Sequence, residues 1–267
     1  MGRGFGFVLI CCLALPAGGW ELTVAFTNDL HVAQAGLARL GPFLAGADLV
    51  LDAGDAWEDL YRLTGVSQAS AMADQMGRLG YQAMVVGNHE LYLGPALRRI
   101  ISQAPFPVLA ANLAGDLPVR RSVLYEVRGV RVLILGLLWE EYPWSLWPRL
   151  RLEDPLAAAA EVLAAAPPHD VLILLGHMDL DRAELIAAAL PQCDLFVLGH
   201  DHLWLRSPVW VGEVPIVQAG HRAGAVGWVR LSPEGVDYEL REVAPVPVSA
   251  PAPLWWVVLA LALLWRW

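Results

Sequence analysis

The chain has 267 residues, of which 57% are hydrophobic and 17% are charged, and its mean hydropathy is +0.47. This composition excludes an intrinsically disordered chain, which would be rich in charge and poor in apolar residues. The net charge of −9, with no basic cluster, excludes a protein that binds a nucleic-acid polymer through its phosphates.

The first 20 residues are predicted to form a secretory signal peptide. Arg3 gives a positive start, residues 5–15 form an apolar run of secretory length, and residues 16–18 are small or turn-forming. Two alternatives stay open for residues 1–20. They could form a buried first strand, or the cysteine pair at 11 and 12 could carry a lipid, although no small residue precedes either cysteine.

Residues 21–243 alternate apolar strands with helical stretches and are predicted to form one domain. Strands are expected over 21–27, 47–53, 82–86, 107–112, 130–138, 171–175, 195–198, 215–218 and 227–231. Helices are expected over 33–44, 67–79, 95–103, 155–165 and 182–190. Several strands are continuous apolar runs, typical of parallel strands buried on both faces. The pattern predicts an α/β fold, more antiparallel from a hairpin at residues 128–129 onward.

The polar residues that interrupt this pattern stand directly after strands, and five of the seven histidines are among them. They are Asn28, Asp29 and His31, then Asp55, then Asn88, His89 and Glu90, and later His177, His200 and His202. Ligands of open α/β sheets bind at the carboxyl ends of strands. Five loops that bring Asp, Asn and His to one edge therefore predict a functional site there.

These residue types predict a centre for divalent metal ions. Asp29 and His31 are two residues apart and face the same way in an extended segment, as do His200 and His202. His, Asp and Asn together suit Mn, Zn, Fe, Co or Ni. The candidate ligands exceed what one tetrahedral ion needs, so two ions that share a carboxylate are expected. Two such ions can clamp the attacking and leaving oxygens of an in-line phosphoryl displacement.

The motifs D-x-H, G-D, G-N-H-E, G-H and G-H-x-H, in this order, resemble those of the calcineurin-like metallophosphoesterases. The longer strings TNDLH, LDAGD, VVGNHE and VLGHDH, followed by VPIVQAGHRAG, are similar to the catalytic domain of the 5'-nucleotidase family. The resemblance covers residues 21–243. It implies a metallophosphoesterase-like α/β fold, a four-layer α/β/β/α sandwich with mixed sheets.

The resemblance also implies roles for individual residues. One metal ion would be held by Asp29, His31 and His202, and the other by Asn88, His177 and His200, with Asp55 bridging the two. His89 would lie beside the phosphate as general acid or transition-state donor, and Asn88 would also contact the substrate. From its place in a Gly-rich loop after a strand, His221 is a further candidate for substrate contact, with a plain surface position as the alternative. Trp57, Glu58, Asp59 and Tyr61 follow the G-D loop and would shape substrate access.

Several departures from the family pattern bear on this reading. Val32 stands where the family has glycine after D-x-H. Tyr92 stands where the family has an aspartate that orients the catalytic histidine, so His89 would be a weaker acid unless Glu90 takes that role. The nucleotidase family also has a second domain that grips the nucleoside, and here a proline-rich segment follows residue 243. Nucleotide specificity therefore does not follow from the resemblance alone.

The C-terminal end is predicted to be a membrane anchor. Residues 244–253 form a Pro-rich spacer, and residues 254–267 form an apolar run with tryptophans at both ends and Arg266 near its end. As a helix the run reaches about 21 Å, against a hydrocarbon core of about 30 Å, so it is a marginal span. A sorting tail that is later removed and a core helix are the alternatives.

The sequence therefore predicts an exported, membrane-tethered phosphoesterase with two divalent metal ions. Its substrate would be a small phosphomonoester or phosphodiester, with nucleotides as the leading candidate. One alternative is a pyrophosphatase that acts on sugar nucleotides or lipid headgroups at the membrane face. Another is a catalytically silent metal-binding module of the cell envelope, which Tyr92 favours and the intact ligand set disfavours.

Overall fold

The computed structural model describes residues 19–59, 65–139 and 146–244. Its strands are β1 (Leu22–Thr27), β2 (Leu49–Asp52), β3 (Ala83–Val85), β4 (Val108–Leu109), β5 (Leu113–Ala114), β6 (Ser122–Val127), β7 (Val130–Leu138), β8 (Arg151–Leu152), β9 (Val171–Met178), β10 (Leu195–His200), β11 (Val209–Val211), β12 (Val214–Val217), β13 (Ala225–Ser232) and β14 (Gly235–Glu242). Its helices are α1 (Gln34–Leu37), α2 (Gly41–Leu44), α3 (Val66–Arg78), α4 (Asn88–Leu91), α5 (Ala96–Gln103), α6 (Pro155–Ala165) and α7 (Leu180–Ala189).

Two mixed six-stranded sheets form the centre of the fold. The first has the order β14-β13-β1-β2-β3-β4, in which β1 to β4 run parallel and β13 and β14 pair antiparallel. The second has the order β11-β12-β10-β9-β7-β6, with the four inner strands parallel and both edge strands antiparallel. The strands β5 and β8 form a separate short ladder.

The two sheets pack face to face and helices cover both outer surfaces. Phe26 and Leu51 of the first sheet meet the layer that contains Ile134 and Ile173 of the second. The helices α1 to α5 cover the first sheet, and α6 and α7 cover the second. The inner strands are thus buried on both faces, which explains their continuous apolar sequences. The predicted four-layer α/β/β/α sandwich is confirmed.

An aspartate stands directly before three of the parallel strands and ties each to its neighbour. Asp48, Asp170 and Asp194 accept a hydrogen bond from the backbone N–H of Thr23, Arg131 and Leu172, at 2.9, 2.9 and 2.7 Å. Each bond joins the start of one strand to the start of the next, and so fixes the register of the pair. These aspartates lie at the amino edge of the sheets, away from the loops that follow the strands.

Two predicted elements have different bounds in the structure. In each case the cause is a backbone N–H group that is missing or bonded elsewhere. The helix expected over 33–44 is divided into α1 and α2, since Pro42, in the first turn of α2, has no N–H with which to continue a helix. The strand expected over 107–112 keeps two residues in β4, because the Ala110 N–H bonds instead to the Arg120 carbonyl at 2.9 Å.

The antiparallel part of the fold confirms one prediction and adds strands that were not predicted, among them β11 and β14. The hairpin joins β6 to β7 through Arg128 and Gly129, whose φ angles of 51° and 81° suit the tight turns of hairpins. β14 was not predicted, although Val236, Tyr238 and Leu240 alternate with polar residues at the strand period and pack on the core between the sheets.

The predicted signal peptide and the C-terminal tail lie outside the described residues, apart from residues 19, 20 and 244 at their inner ends. Among the helices of the described part of the chain, none is both long and apolar enough to cross a bilayer.

Candidate metal centre

All seven predicted metal ligands meet at the carboxyl edge of the two sheets. Asp29 and His31 come from the loop after β1, Asp55 follows β2, and Asn88 begins α4 just after β3. His177 lies near the end of β9, His200 ends β10, and His202 follows it. The chain brings these residues together because parallel strands of both sheets end on the same side.

The first group consists of Asp29, His31 and His202. The Nε2 atoms of the two histidines are 3.1 Å apart, and Asp29 Oδ1 lies 3.4 Å from His202 Nε2 and 3.8 Å from His31 Nε2. Three ligand atoms thus face one point, which is the arrangement that a bound cation needs.

Hydrogen bonds from neighbouring groups hold Asp29 and His31 in place. These bonds use other atoms than the ones that face the common point. Asp29 Oδ2 accepts hydrogen bonds from Asn28 Nδ2 at 2.7 Å and from the His200 N–H at 2.9 Å. Asp29 Oδ1 is buried and has no hydrogen-bond donor among the described residues. His31 donates from Nδ1 to the Glu58 carbonyl at 3.1 Å, so its Nε2 lone pair faces Asp29. A buried carboxylate oxygen without a donor is costly, and a metal ion would satisfy it.

The second group consists of Asp55, Asn88, His177 and His200. His177 Nε2 lies 3.0 Å from Asn88 Oδ1 and 3.2 Å from Asp55 Oδ2. The rings of His177 and His200 are 5.2 Å apart, and both histidines offer nitrogens close to Asp55. His177 donates from Nδ1 to the Ala53 carbonyl at 2.8 Å, which again turns Nε2 toward the site.

Asp55 lies between the two groups. Its Oδ1 accepts the His89 N–H at 2.8 Å, and its Oδ2 points to His177. Its carboxylate also lies within ligand distance of His31, a member of the first group. This is the position that a carboxylate shared by two ions must occupy.

The electrostatic field at this edge favours positive charge. Burial lowers the pKa of His177, but the adjacent Asp55 carboxylate outweighs this effect and raises the pKa to about 10. Burial likewise works to raise the pKa of Asp55, but the surrounding histidines, His177 foremost, hold that pKa below its ordinary value. The neighbouring Asp29 carboxylate, 3.4 Å from Nε2, raises the pKa of His202. The same carboxylates would stabilise bound cations.

The backbone at the site is strained. Five of the seven candidate ligands have positive φ angles: Asp29, His31, Asp55, His200 and His202. Val32 also has φ of 56°, a conformation that costs a residue with a side chain about 1–2 kcal/mol and that glycine adopts freely. The His31 and Val32 N–H groups bond to the carbonyls of Asp55 and Ala56, at 2.9 and 3.0 Å, and hold the loop. Strain of this kind concentrates where function requires a fixed geometry.

His89 stands beside the two groups at the mouth of the site. Its side chain is 17% exposed, and its ring meets the His31 ring edge-on with centroids 4.7 Å apart. Its Nδ1 lies 3.1 Å from Glu58 Oε2, and its Nε2 lies 3.9 Å from Asp55 Oδ2. Nε2 therefore faces the cavity, where a substrate oxygen would lie.

The expectation that Glu90 orients His89 is wrong. Glu90 is fully buried, and its carboxylate accepts the backbone N–H groups of Asp55, Trp57 and Gly87, at 2.9, 2.8 and 2.8 Å. These three bonds hold the carboxylate between two loops, and among the described residues it makes no contact with the His89 ring. The family's orienting aspartate is replaced by Tyr92, whose ring lies 6.0 Å from that of His89. Glu58 places a carboxylate beside the histidine instead.

A cavity of about 170 Å³ opens above the ligands. It is lined by His31, Asp55, Asp59, His89, His200, His202 and Arg222. Arg222, in the loop after β12, was not predicted as a site residue, and its Nη1 lies 2.8 Å from Asp59 Oδ2. Its position next to the candidate His221, in the string HRAG, is the feature of the sequence that could have indicated Arg222.

His221 does not line this cavity. Its ring stacks on the His202 ring, with centroids 4.7 Å apart and 18° between the planes, and its Nδ1 is buried. It therefore supports a candidate ligand from behind, and its predicted contact with substrate stays a prediction.

Comparison with known proteins identifies the family. The family model of the calcineurin-like phosphoesterases matches residues 22–203, which is more than half of the chain. The chain belongs to the calcineurin-like phosphoesterases. The predicted class of metal-dependent phosphoric ester hydrolase is confirmed at the level of this family, as is the requirement for two divalent metal ions, and the clustered ligands fit it.

The chain is also similar to curated and solved 5'-nucleotidases, which confirms the resemblance to their catalytic domain. Human 5'-nucleotidase is 29% identical over 60% of this chain and 34% of its own length. The trifunctional nucleotide phosphoesterase YfkN of Bacillus subtilis is 28% identical over 46% of this chain and 11% of its own length. The structure of a 5'-nucleotidase precursor from Thermus thermophilus superposes with a TM-score of 0.69, at 24% identity, over 91% of this chain and 58% of its own. The chain spans about a third of the length of the curated 5'-nucleotidases it matches.

Proposed function

We propose that this chain hydrolyses small phosphomonoesters or phosphodiesters at a two-metal centre, with nucleotides as the leading substrates. The observation that carries the proposal is the pair of ligand groups joined by Asp55 on the floor of a cavity that His89 borders. A cavity of about 170 Å³ suits a phosphoryl group and leaves the rest of the substrate outside it. The similarity to 5'-nucleotidases supports nucleotides among the possible phosphoesters.

In this proposal Asp29, His31 and His202 hold one ion and Asn88, His177 and His200 hold the other, with Asp55 shared. When bound, the ions would neutralise the phosphoryl oxygens and lower the pKa of a coordinated water. His89 donates a proton from Nε2 to the leaving oxygen, while the Glu58 carboxylate accepts from Nδ1 and orients the ring. Asn88 and His89 contact the substrate.

Two other functions compete with this one. A pyrophosphatase for sugar nucleotides or lipid headgroups would use the same centre, and only the substrate panel separates it. A catalytically silent metal-binding module would lack a working acid. The Glu58–His89 contact weighs against the silent module, because Glu58 gives His89 a carboxylate partner although Tyr92 replaces the family's aspartate.

The test uses the purified full chain loaded with Mn²⁺. We expect turnover of chromogenic phosphomonoesters or phosphodiesters and then of 5'-nucleotides in a panel that includes sugar nucleotides. His200→Ala should abolish turnover, while His169→Ala, a histidine outside the site before β9, should retain it. Undiminished activity in His200→Ala would refute the two-metal mechanism. Absence of turnover of every ester by the fully metallated chain would favour the silent module.

We also propose that the protein is exported through residues 1–20 and tethered to a membrane by residues 254–267. This proposal rests on the charge and hydropathy pattern of those segments. The full-length protein should sediment with membranes and be released by detergent but not by high salt, while a chain that ends at residue 243 should stay soluble. Full-length protein that stays soluble, with its tail intact by mass, would contradict tethering.

A further inference from the structure

A second cavity of about 330 Å³ adjoins the metal cavity. Arg222 lines both cavities, so they are neighbours at this residue. The other walls of the second cavity include Arg39, Trp204, His221 and Glu242. Its volume lies within the range of small-molecule sites, about 300–1,000 Å³.

Trp204 offers this cavity a fixed aromatic surface. The indole lies against the backbone of Gly220 and Gly224, where an added Cβ would come within 2.5 and 2.8 Å of the ring. One side of the ring is therefore held by two residues that can have no side chain there. The tryptophan is nevertheless 40% exposed, so its remaining surface is free for a planar group to stack on.

A continuous aromatic wall links Trp204 to the metal centre. The His202 ring stacks on His221, and the His221 ring meets Trp204 edge-on with centroids 6.4 Å apart. A group attached to a phosphate at the metal centre has a route along these rings to Trp204. The second cavity, which shares Arg222 with the metal cavity, lies on that side.

The charges in this cavity suit a polar ring rather than a hydrocarbon. Arg222 Nη1 is paired with Asp59 Oδ2 at 2.8 Å, and because a guanidinium carries five N–H donors, this pair leaves others for a ligand. Arg39 has no ion pair within the described ranges, and Glu242 is already paired with Arg206. Two guanidinium groups and an indole favour an aromatic heterocycle that carries hydrogen-bond acceptors.

We propose that the second cavity is the nucleoside subsite of this enzyme. The base stacks on Trp204, and Arg222 marks the junction between phosphate and nucleoside. This inference rests on the proposed phosphoesterase function, because it places the phosphate in the metal cavity. It assigns specificity for nucleotides to residues within 19–244.

The kinetic test compares a 5'-nucleotide with ribose 5-phosphate, the same ester without the base. In the Mn²⁺-loaded full chain, Trp204→Ala should raise KM for the nucleotide about tenfold, since base stacking on an aromatic side chain contributes on that scale. KM for ribose 5-phosphate and the metal content should not change. Trp210→Ala, which removes another exposed tryptophan from β11, is the matched control and should behave as wild type. An unchanged ratio of the two KM values in Trp204→Ala would overturn the proposal.

A binding test separates failure of the subsite from failure of the catalytic function. Saturation-transfer NMR with a free nucleoside, which has no phosphate to hydrolyse, reports occupancy without turnover. We expect binding to wild type, Trp204→Phe and Trp210→Ala, and loss in Trp204→Ala. Binding with this pattern but no ester hydrolysis would keep the subsite and refute the catalytic proposal. Ester hydrolysis without nucleoside binding would refute the subsite alone, and Trp204→Phe shows that the loop remains folded.

Discussion

The Glu58 carboxylate is the acidic partner of His89, with 3.1 Å between Oε2 and Nδ1. Glu58→Gln replaces the carboxylate that accepts from His89 Nδ1 with a neutral amide and keeps the shape of the side chain. We expect kcat to fall about 100-fold, within the range that general acid catalysis contributes. The metal content should be unchanged, because the Glu58 contact with His31 is through the backbone carbonyl.

Glu161→Gln is the matched control for Glu58→Gln, since Glu161 is exposed in α6 and pairs with Arg121. It should keep full activity. Wild-type kcat in Glu58→Gln would show that His89 needs no acidic partner. A loss of bound metal in the same variant would show that Glu58 acts on the ligand groups rather than on His89.

Gly87 gives a second prediction, because it leaves space for the shared carboxylate. Its φ of −96° is ordinary, but a Cβ at this position would lie 2.0 Å from Asp55 Oδ1 and 2.6 Å from Asp55 N. Gly87→Ala must therefore displace Asp55. We expect metal affinity, measured by calorimetric titration, to fall at least about tenfold.

Gly41→Ala serves as the control for Gly87→Ala, because its Cβ would meet Leu79 at a normal 3.7 Å. Metal affinity in this variant should match wild type. Equal affinity in Gly87→Ala and wild type would contradict the role of Asp55 as a shared ligand.

The convergence of the candidate ligands was predictable from the sequence, but their supporting partners were not. Each candidate ligand lies at or just after the end of an apolar strand, and parallel strands end at a common edge, so local pattern and topology suffice. Glu58 and Arg222 act through contacts across the chain. Glu58 meets His89 31 residues later, and Arg222 meets Asp59 from the opposite sheet's loop. The sequence around either residue does not indicate which distant group it reaches.

Among the secondary-structure elements, the apolar pattern predicted where strands lie but not how long they are. Continuous apolar runs identified β7, β9 and β10, because both faces of these strands are buried. β4 is short because Ala110 bonds to Arg120, a competing partner that no local pattern reveals. β14 was missed because its alternating pattern is that of an edge strand with one solvated face.

Asp170 joins the starts of β7 and β9 and gives an acid-dependent prediction. Hydrogen bonds from the Arg131 side chain and backbone N–H lower the pKa of Asp170 to about 2. A lowered folded-state pKa stabilises the fold above the unfolded pKa of about 4, and this contribution is lost as pH falls through about 2. Asp170→Asn should therefore melt about 2 °C lower than wild type at pH 7, with a difference that disappears between about pH 4 and pH 2.

Thermal melts as a function of pH test the role of Asp170, with Glu213→Gln in the turn between β11 and β12 as the control. That variant should follow wild type at every pH. A difference for Asp170→Asn that persists unchanged at pH 2 would mean that shape or solvation of the side chain, and not its charge, stabilises the strand pair.

Most of the buried polar residues in the described part of the chain lie at the edge where the two sheets meet. Three apolar layers, one between the sheets and one under each set of helices, account for the high hydrophobic content. Asp29, Asp55 and Asn88 come from loops of the first sheet, and His177, His200 and His202 from the second. The metal centre thus lies across the boundary between the sheets.

Metal binding should therefore stabilise the entire fold. The ligand set exists only when both sheets are packed, so ions that bind it favour the folded state over the unfolded state. At a metal concentration about 100 times Kd, this linkage is worth about 2.7 kcal/mol, or roughly 5–10 °C in Tm for a chain of this size. Chelation should lower the Tm of the wild type by that amount, and Mn²⁺ should restore it. His200→Ala should lose most of the response, while His169→Ala should keep it. A wild-type Tm that is the same with Mn²⁺ and with chelator would show that the ions do not join the sheets.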